Sequence, residues 1–458
     1  MSEGRLKRVL GLAETTAVAV GFTIGGGVFV FTGIVFKIVG AALPLAYALA
    51  LLPIFAAVLP VAMLGAALPT TGGSYRYPSR MVSPALAFVG IWVYALACFF
   101  GQIPLYALGC ARYLQALIPG LKPVPAAAAI VTFFYLINLF GVRLAARVQG
   151  LLVAVLVSAL LYYTAAGISV FQPRHFSGFF DHGLGPLLLG SGLLTFTYLG
   201  ANGIVELGGE IVDPGRVIPR AMFIALAMVA VVYIAVALVT VGALPEPELA
   251  EAAEPLVRVM ESTAGRWGFV FFICGGAILA LTTTLNALFI VGTKSLLVVA
   301  GDRLLPPSLG RLHPRFGTPV VLLTGVWALS ILGIVSGLSL QTLAAYASLG
   351  GMIIFLPMQI AALRLAKRFP ARYAASGFRL RGIWLRVCPV AGIGLILFFT
   401  AVILVDLATP LKVGGFGLFL ISGITYYALR RRQLERQGFS LAGHIARDPD
   451  LDGTQGPP

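Results

Sequence analysis

The chain has 458 residues, of which 59% are apolar and 11% are charged, and its mean hydropathy is +0.97. A soluble domain carries about 25% charged residues, so this composition excludes a soluble globular protein and predicts an all-α integral membrane protein. The net charge of +15 does not indicate a nucleic-acid partner, because the basic residues are concentrated in alternate loops between apolar segments.

Twelve apolar segments are long enough to cross a bilayer as helices. They cover residues 15–38, 41–67, 84–117, 124–142, 146–170, 184–207, 219–243, 267–300, 319–337, 341–363, 385–407 and 411–430. An even number of crossings places both termini on the same side of the membrane. Most lysines and arginines lie in the loops of that side, which the positive-inside rule assigns to the cytoplasm. We therefore predict a multi-pass protein of the cell membrane with both termini cytoplasmic.

The parts outside the apolar segments are short. Residues 1–14 are predicted to be a cytoplasmic N-terminus and residues 431–458 a cytoplasmic, disordered tail. One loop on the opposite side, from Glu246 to Arg266, is acidic and is expected to contain a short amphipathic helix. The four cysteines lack metal or redox spacing, and no nucleophile–base set or phosphate loop is evident. The sequence thus predicts neither an enzyme nor a metal site, and no resident cofactor.

Three successive glycines, Gly25, Gly26 and Gly27, lie in the middle of the first apolar segment. Each is about 1 kcal/mol less favourable than alanine inside a helix, and a freed backbone group in lipid has no water to bond. Close packing of helices through small residues is the alternative explanation, but three adjacent glycines fit that pattern poorly. The sequence therefore predicts a helix break at Gly25–Gly27 whose backbone, together with Ile24, binds a ligand.

A second interruption lies in the sixth apolar segment, where Gly200 and Gly203 flank Asn202. The two breaks occupy the first helices of two five-helix sets, residues 15–170 and residues 184–363, which enter the membrane from opposite sides. Glycine-interrupted helices at matching positions of two inverted halves indicate the substrate site of a secondary transporter. The repeat is inferred from topology, because the halves share no evident residue identity.

Four motifs in order along the chain resemble those of the amino acid–polyamine–organocation permeases. They are IGGGVF at 24–29, PTTGGSYRY at 69–77, EIVDPGRVIPR at 210–220, and the pair GDRLLP and HPRFGTP within 301–319. The resemblance implies a five-plus-five inverted-repeat (LeuT-type) fold, with helices 1 and 6 broken at mid-membrane. It also implies two accessory helices in residues 385–430 and an α-amino acid or amine bound at the two breaks.

The two breaks suit the two charges of an amino acid. Free N–H groups at Gly25–Gly27 and the positive end of a half-helix favour a carboxylate, and unpaired carbonyls near Gly200–Gly203 favour an ammonium group. Asn202 is predicted to line the side-chain pocket, where the family often has an acidic residue, and a neutral amide favours a neutral amino acid. Phe196 and Tyr198 are expected either to cover the ligand or to be core aromatics. Further candidates for the pocket wall are Gln102, Tyr106 and Tyr346.

Candidates for ion coupling lie next to these residues. Glu206 is an intramembrane carboxylate and is predicted to be a gate or a proton-linked residue, or else the structural partner of Lys294. The hydroxyls of Thr282 and Thr283 are candidate Na⁺ ligands, although such groups more often bond their own helix. Some relatives of the family use a helix-5 lysine for proton coupling; the corresponding region here, near Leu156, has none. The coupling ion, Na⁺ or H⁺, therefore stays open.

The sequence predicts a secondary active transporter that moves a neutral amino acid by alternating access, with a hinged bundle of helices 1, 2, 6 and 7. The expected partners are a small-molecule substrate and the lipid bilayer, with no nucleic acid, and the protein is expected to be a monomer or a homodimer. An amine or polyamine transporter and an amino-acid exchanger are the nearest alternatives. A channel or a membrane receptor is a more distant one.

Overall fold

A computed structural model describes residue 8 and residues 10–140, 146–306, 308–314, 316–407 and 409–446, without the side chains of residues 146–150, 291, 294, 442 and 446. Within these ranges the chain forms helices and two isolated β-bridges but no β-strand. The predicted all-α class is thereby confirmed. Residues 1–7 of the predicted N-terminus and residues 447–458 of the predicted tail lie outside the described ranges.

The α-helices of the described residues are α1 (Leu12–Thr23), α2 (Gly27–Val39), α3 (Leu43–Ala67), α4 (Gly73–Met81), α5 (Pro84–Leu96), α6 (Ile103–Leu117), α7 (Pro123–Leu139), α8 (Ala146–Ile168), α9 (Leu184–Thr195), α10 (Pro214–Ala243), α11 (Glu246–Glu251), α12 (Pro255–Thr263), α13 (Arg266–Phe271), α14 (Leu279–Gly301), α15 (Val320–Val335), α16 (Leu340–Ile353), α17 (Phe355–Arg368), α18 (Pro370–Ala375), α19 (Trp384–Asp406), α20 (Pro410–Arg436) and α21 (Leu441–Ala446). The 3₁₀ segments are Gly40–Ala42, Pro173–Phe176, Phe196–Glu206 and Gly208–Glu210, and the π segments are Ala97–Gln102 and Phe272–Ile278. The acidic loop predicted to hold a short helix contains α11 and α12, whereas α4 was not predicted.

Nine helical stretches of the described chain are long and apolar enough to cross a bilayer. They are Leu12–Ala67, Pro84–Leu117, Leu151–Ile168, Leu184–Glu206, Pro214–Ala243, Arg266–Gly301, Leu340–Arg368, Trp384–Asp406 and Pro410–Arg436. Two shorter apolar helices, α7 and α15, complete the set. The molecule is therefore built for a membrane, while a count of twelve crossings stays a prediction.

Side-chain burial agrees with a lipid environment. The buried apolar residues form one continuous core, yet large apolar side chains on the outer helices stay uncovered by protein. Val405 on α19 is 78% exposed and Leu411 on α20 is 85% exposed. Such surfaces are costly in water and are typical of helices that contact lipid.

Five helices, namely α1, α2, α3, α9 and α10, form a group around the two predicted breaks. α3 packs against α9 and α10, and α1 packs against α10 and the 3₁₀ segment Phe196–Glu206. A second group surrounds it, in which α6 packs against α7 and α14, and α5 packs against α20. The site described below lies between these two groups.

One end of the bundle is identified by two short backbone pairings. Leu10 pairs with the strand-like residue Ile211, since the Leu10 N–H donates to Glu210 O at 3.1 Å and the Val212 N–H donates to Leu10 O at 2.9 Å. Thr71 pairs with Leu207 at the same end. We call this end the N-terminal face. α10 begins there and ends at the other end, the opposite face, next to α11 and α12.

Candidate functional site

The first break comprises Ile24, Gly25 and Gly26, between the end of α1 and the start of α2. The Gly26 N–H donates to Oγ1 of Thr284 on α14 at 3.0 Å. No described residue accepts a hydrogen bond from the N–H of Gly25 or of Gly27. Because the first turn of a helix leaves its N–H groups unpaired and carries a partial positive charge, the start of α2 is suited to an anionic group.

The second break is longer and has a different backbone. From Phe196 to Glu206 the chain forms eleven residues of 3₁₀ helix, a conformation that rarely exceeds three or four residues and often marks a functional hinge. Asn202 lies in this segment and is 6% exposed. Its Nδ2 donates to Leu199 O at 3.2 Å, but its buried Oδ1 has no partner among the described residues. A buried acceptor without a donor is costly, so this oxygen is available to a ligand.

The glycines allow the two breaks to touch. A Cβ added to Gly200 would lie 2.3 Å from the carbonyl oxygen of Phe22, and one added to Gly27 would lie 3.3 Å from Cβ of Thr197. The Tyr233 hydroxyl on α10 donates to Thr23 O at 2.6 Å, with Thr197 O at 3.5 Å. These glycines therefore permit close packing at the same place where the helices are broken.

A cavity with about 1110 Å³ of empty space, part of it open to solvent, lies at this crossing. Its lining extends from Gly25 along Phe22 and Gly21 of α1 and includes no residue of α2. The cavity therefore reaches from the breaks towards the N-terminal face. The polar side chains in its wall are Thr23, Ser74, Tyr94, Gln102, Tyr106, Thr197, Asn202, Glu206, Thr283, Thr284 and Ser295.

Glu206 is the charged side chain in the described wall of the cavity. Its Oε1 accepts a hydrogen bond from the N–H of Ser74, in the first turn of α4, at 3.0 Å. A carboxylate at that position stabilises the helix start, so Glu206 joins the second break to α4. The side chain of Lys294 lies outside the part of the chain that the structure describes, and its pairing with Glu206 stays a prediction.

Aromatic side chains close the cavity towards the opposite face. The ring of Phe31 on α2 stacks on Phe196 with centroids 5.6 Å apart. Tyr198 packs against Tyr47 and Tyr233, and its hydroxyl donates to Tyr47 O at 3.3 Å. The site is thus closed on one side and accessible on the other.

Nine of the residues predicted from the sequence line this cavity. They are Gly25, Gln102, Tyr106, Phe196, Gly200, Asn202, Gly203, Glu206 and Thr283. Ile24, Gly26, Gly27 and Tyr198 are buried beside it without being part of its wall. Tyr346 is also outside the wall, and its hydroxyl donates to Lys412 O at 2.7 Å.

Three successive threonines of α14 differ in their hydrogen bonds. Thr282 donates to Ile278 O at 2.6 Å and Thr283 donates to Leu279 O at 2.7 Å, each within its own helix. Thr284 donates to Ala280 O in the same way but also accepts the Gly26 N–H. The Na⁺ site at Thr282 and Thr283 stays a prediction. Among the described residues, no group of three or more His, Cys, Asp or Glu could hold a metal.

The site contains residues that sequence reasoning did not single out. Tyr233 bridges the two breaks and has no unusual local sequence around it. Ser74, which binds Glu206, lies within the PTTGGSYRY motif. Phe22, which contacts Gly200 and Gly203, lies two residues before the first break. The motif and the nearby glycines were the local signals available.

The sequence is similar to those of known permeases and transporters. The family model described as amino acid permease matches residues 10–429. The chain is 28% identical over 415 residues to the methylthioribose transporter of Bacillus subtilis (strain 168), which covers 86% of this chain and 88% of that protein. It is 24% identical over 454 residues to the branched-chain amino acid permease BcaP of the same organism, with 94% of each chain covered. It is 26% identical over 345 residues to the vacuolar cationic amino acid transporter 4 of Arabidopsis thaliana, covering 69% of this chain and 56% of that protein.

Proposed function

The chain belongs to the amino acid permease family, within the amino acid–polyamine–organocation superfamily, and we propose that it is a secondary active transporter that moves a neutral amino acid by alternating access. The observation that carries this proposal is the meeting of two helix breaks at one cavity that is closed towards one face. A multi-pass membrane protein of a permease family requires such a site, whereas members of this family are not enzymes.

The proposed topology has twelve crossings and two inverted five-helix repeats. The stretch Leu12–Ala67 has 56 residues, more than twice the roughly 20 that one crossing needs, and it contains the broken helix α1–α2 as well as α3. Twelve crossings result when this stretch is counted as two and α7 and α15 are added to the other eight candidates. Twelve crossings with the basic loops in the cytoplasm would make the N-terminal face the cytoplasmic face of the cell membrane.

The proposed substrate position follows from the unpaired groups. The carboxylate lies against the N–H group of Gly25, which lines the cavity, near the positive end of α2, and the ammonium group lies against carbonyls of the 3₁₀ segment. The substrate side chain then faces Asn202, whose free Oδ1 accepts a hydrogen bond or borders an apolar group. The names of the relatives include a branched-chain amino acid permease, which supports a neutral side chain.

The structure described here corresponds to the cytoplasm-facing state in this proposal. The group of α1, α2, α3, α9 and α10 contains the predicted moving helices 1, 2, 6 and 7, and the surrounding helices are the scaffold. Glu206 is the proposed gate or proton-linked residue, because it borders the cavity and binds α4. Na⁺ at Thr282 and Thr283 is the other proposed coupling site, and a monomer or homodimer is proposed as the assembly.

One observation favours a second substrate class, a cationic amino acid or an amine. Glu206 gives the described cavity wall an acidic group, and no described lysine, arginine or histidine lies in the wall. Two of the relatives are named cationic amino acid transporters of Arabidopsis thaliana vacuoles. An exchanger of amino acids would use the same site without an ion.

Uptake into proteoliposomes tests the proposal. Radiolabelled neutral amino acids, cationic amino acids and amines without a carboxylate are compared, with separate Na⁺ and pH gradients. We expect saturable uptake of a neutral amino acid that internal substrate accelerates and one of the gradients drives. Uptake of amines alone would contradict the carboxylate site. If uptake does not respond to either gradient but requires internal substrate, the protein is an exchanger and not an ion-coupled transporter.

A further inference from the structure

The segment between α10 and α13 folds over the outer half of α2 on the opposite face. Glu254, at the start of α12, is 8% exposed, and its Oε1 lies 3.7 Å from Nη1 of Arg112 on α6. A Cβ added to Gly33 of α2 would lie 3.2 Å from Pro255 Cδ and 3.5 Å from Glu254 Oε2. The carboxylate is therefore inserted between α2 and α6, at a point where α2 has no side chain.

A second contact holds the same segment at the end of α2. Glu246 Oε1 lies 2.7 Å from Nε2 of His182, and both side chains pack against Gly40. α12 also presents an apolar face to the bundle, because Leu256, Val259 and Met260 are fully buried. The segment 246–263 is thus anchored to α2 by two acidic side chains and by apolar packing.

These contacts bear on which face of the cavity is accessible. α2 closes the cavity towards the opposite face through the Phe31–Phe196 stack, and the Tyr113 hydroxyl fixes it to α6 by donating to Phe29 O at 2.9 Å. Opening this face requires α2 to separate from its neighbours. Because Pro255 and Glu254 fill the space beside Gly33, α12 has to withdraw before α2 can move.

The charge of Glu254 makes this withdrawal sensitive to protons. The charged or titratable groups that face it are Arg112 and Tyr113 on α6 and Lys37 on α2. Burial raises the pKa of Glu254 to about 7, although Arg112 and Lys37 act in the opposite direction. Glu254 lies outside the spanning stretches, at the opposite face of the bundle, so that compartment supplies its proton.

We propose that Glu254 is the positioning residue that holds the segment 246–263 against α2, and that protons from the compartment at the opposite face stabilise the closure of that face without crossing the membrane. The inference rests on the proposed alternating access. The proton enters and leaves on the same side, because the aromatic side chains that close the cavity separate Glu254 from the N-terminal face. This role differs from ion coupling, in which a proton would be released on the other side.

The direction of the pH effect follows from proton linkage. In the closed state the pKa of Glu254 is about 7, whereas a withdrawn, solvated carboxyl returns to its ordinary value of 4.5. The closed state then binds the proton more tightly. The stabilisation of the closed state by this proton is complete below about pH 4.5 and is lost as the pH rises through about 7. Since each unit of pKa changes the equilibrium tenfold, the ratio of closed to open molecules would change by up to roughly 300-fold.

A distance measurement on the full chain tests this without any substrate. Spin labels are placed on cysteines that replace Ala250 on α11 and Ile118 at the end of α6, both exposed, and the protein is studied in lipid nanodiscs. As the pH is raised from about 5 to about 9, we expect the longer distances to gain population, with a midpoint near 7. Glu254→Gln should remain at the short distance at every pH, because the amide mimics the protonated carboxyl.

Two further variants make the result decisive. Glu248→Gln removes an exposed carboxylate of the same segment, paired with Arg258 at 2.7 Å, and should keep the wild-type pH response. Arg112→Gln removes a cation beside Glu254 and should move the midpoint to higher pH, which tests the idea even if Glu254→Gln fails to fold. The proposal would be overturned if the wild-type distance did not change with pH, or if Glu254→Gln kept the pH response. It would also be overturned if the midpoint in Arg112→Gln fell or stayed unchanged. Each readout is independent of uptake, so failure of the proposed function would be seen separately.

Discussion

The two helix breaks differ in length and in what they offer to a ligand. The first spans Ile24 to Gly26 and offers backbone N–H groups, one of which is already held by Thr284. The second extends over eleven residues and adds the side chains of Asn202 and Glu206 to the cavity wall. Backbone groups recognise what all amino acids share, whereas side chains distinguish among them. On the proposed function, the backbone of the first break binds the carboxylate, and the side chains of the second break select the substrate.

The breaks nevertheless behave as one structural unit. Gly200 of the second break contacts the backbone of Phe22 just before the first, and Tyr233 donates a hydrogen bond to Thr23 O beside both. A change at this crossing should therefore disturb both functions, while a change away from it should disturb one.

The largest effect is expected for Gly200→Ala. The new methyl group would lie 2.3 Å from Phe22 O and 2.6 Å from the Cα of Thr23, which are backbone atoms that cannot rotate away. Overpacking costs about 1–3 kcal/mol and sometimes more, and we expect uptake to fall by at least about 100-fold, equivalent to about 2.8 kcal/mol. Uptake and thermal unfolding are measured together, with Gly325→Ala on α15 as the control, because nothing lies within 4 Å of that position. Normal uptake by Gly200→Ala would show that the breaks do not need to touch.

The first break was predictable because it violates a local rule. Three adjacent glycines in an apolar segment are anomalous in a single sequence window, and membrane physics leaves few explanations for them. The contact between Gly26 and Thr284 joins residues 258 positions apart, and nothing near either residue specifies it. Such a pairing depends on how α14 packs against α1, which no local pattern encodes.

The helical fold was predictable for the same physical reason, but its irregularities were not. Long apolar stretches must become helices in lipid, since their backbone groups have no other partners. The π segment Ala97–Gln102 has no glycine run to announce it, although Pro104 follows two residues later. The α4 helix begins at Gly73 inside a stretch that is rich in turn residues. Both depend on tertiary contacts, such as the bond from Ser74 to Glu206.

Asn202→Asp should change substrate choice without removing the head-group site. A carboxylate in place of the unpaired amide oxygen would favour a cationic side chain and disfavour an apolar one. Hydrogen bonds to charged groups contribute about 1.5–3 kcal/mol, so we expect the arginine-to-leucine uptake ratio to rise by about 10- to 100-fold. The matched variant is Gln102→Glu, a second cavity amide that lies outside both breaks. An equal or larger change in Gln102→Glu would mean that the second break does not set selectivity.

Tyr233→Phe should weaken transport of all substrates alike. The change removes one hydroxyl and leaves Thr23 O without its donor at 2.6 Å, and an unsatisfied buried group costs about 1–3 kcal/mol. We expect an approximately tenfold loss of uptake with an unchanged ranking of substrates. Tyr163→Phe removes a comparably buried hydroxyl that bonds Thr240 at 2.8 Å, away from the breaks, and serves as the control. A changed substrate ranking in Tyr233→Phe would contradict a role shared by the two breaks.

The smallest effect is expected where a single hydrogen bond supports the first break. Thr284→Val keeps the shape of the side chain but removes the acceptor of the Gly26 N–H, whose contribution is about 0.5–1.5 kcal/mol. Substrate affinity should fall by about 2- to 10-fold, measured as the concentration that half-saturates uptake. Thr293→Val is the matched variant, since that hydroxyl bonds Phe289 O of its own helix at 2.8 Å and lies outside the described cavity wall. Because the lost bond lies in the first break, the affinities for neutral and cationic substrates should fall in parallel. If the two valine variants lose affinity equally, α14 acts through its own helix geometry, and the backbone of the first break does not depend on Thr284.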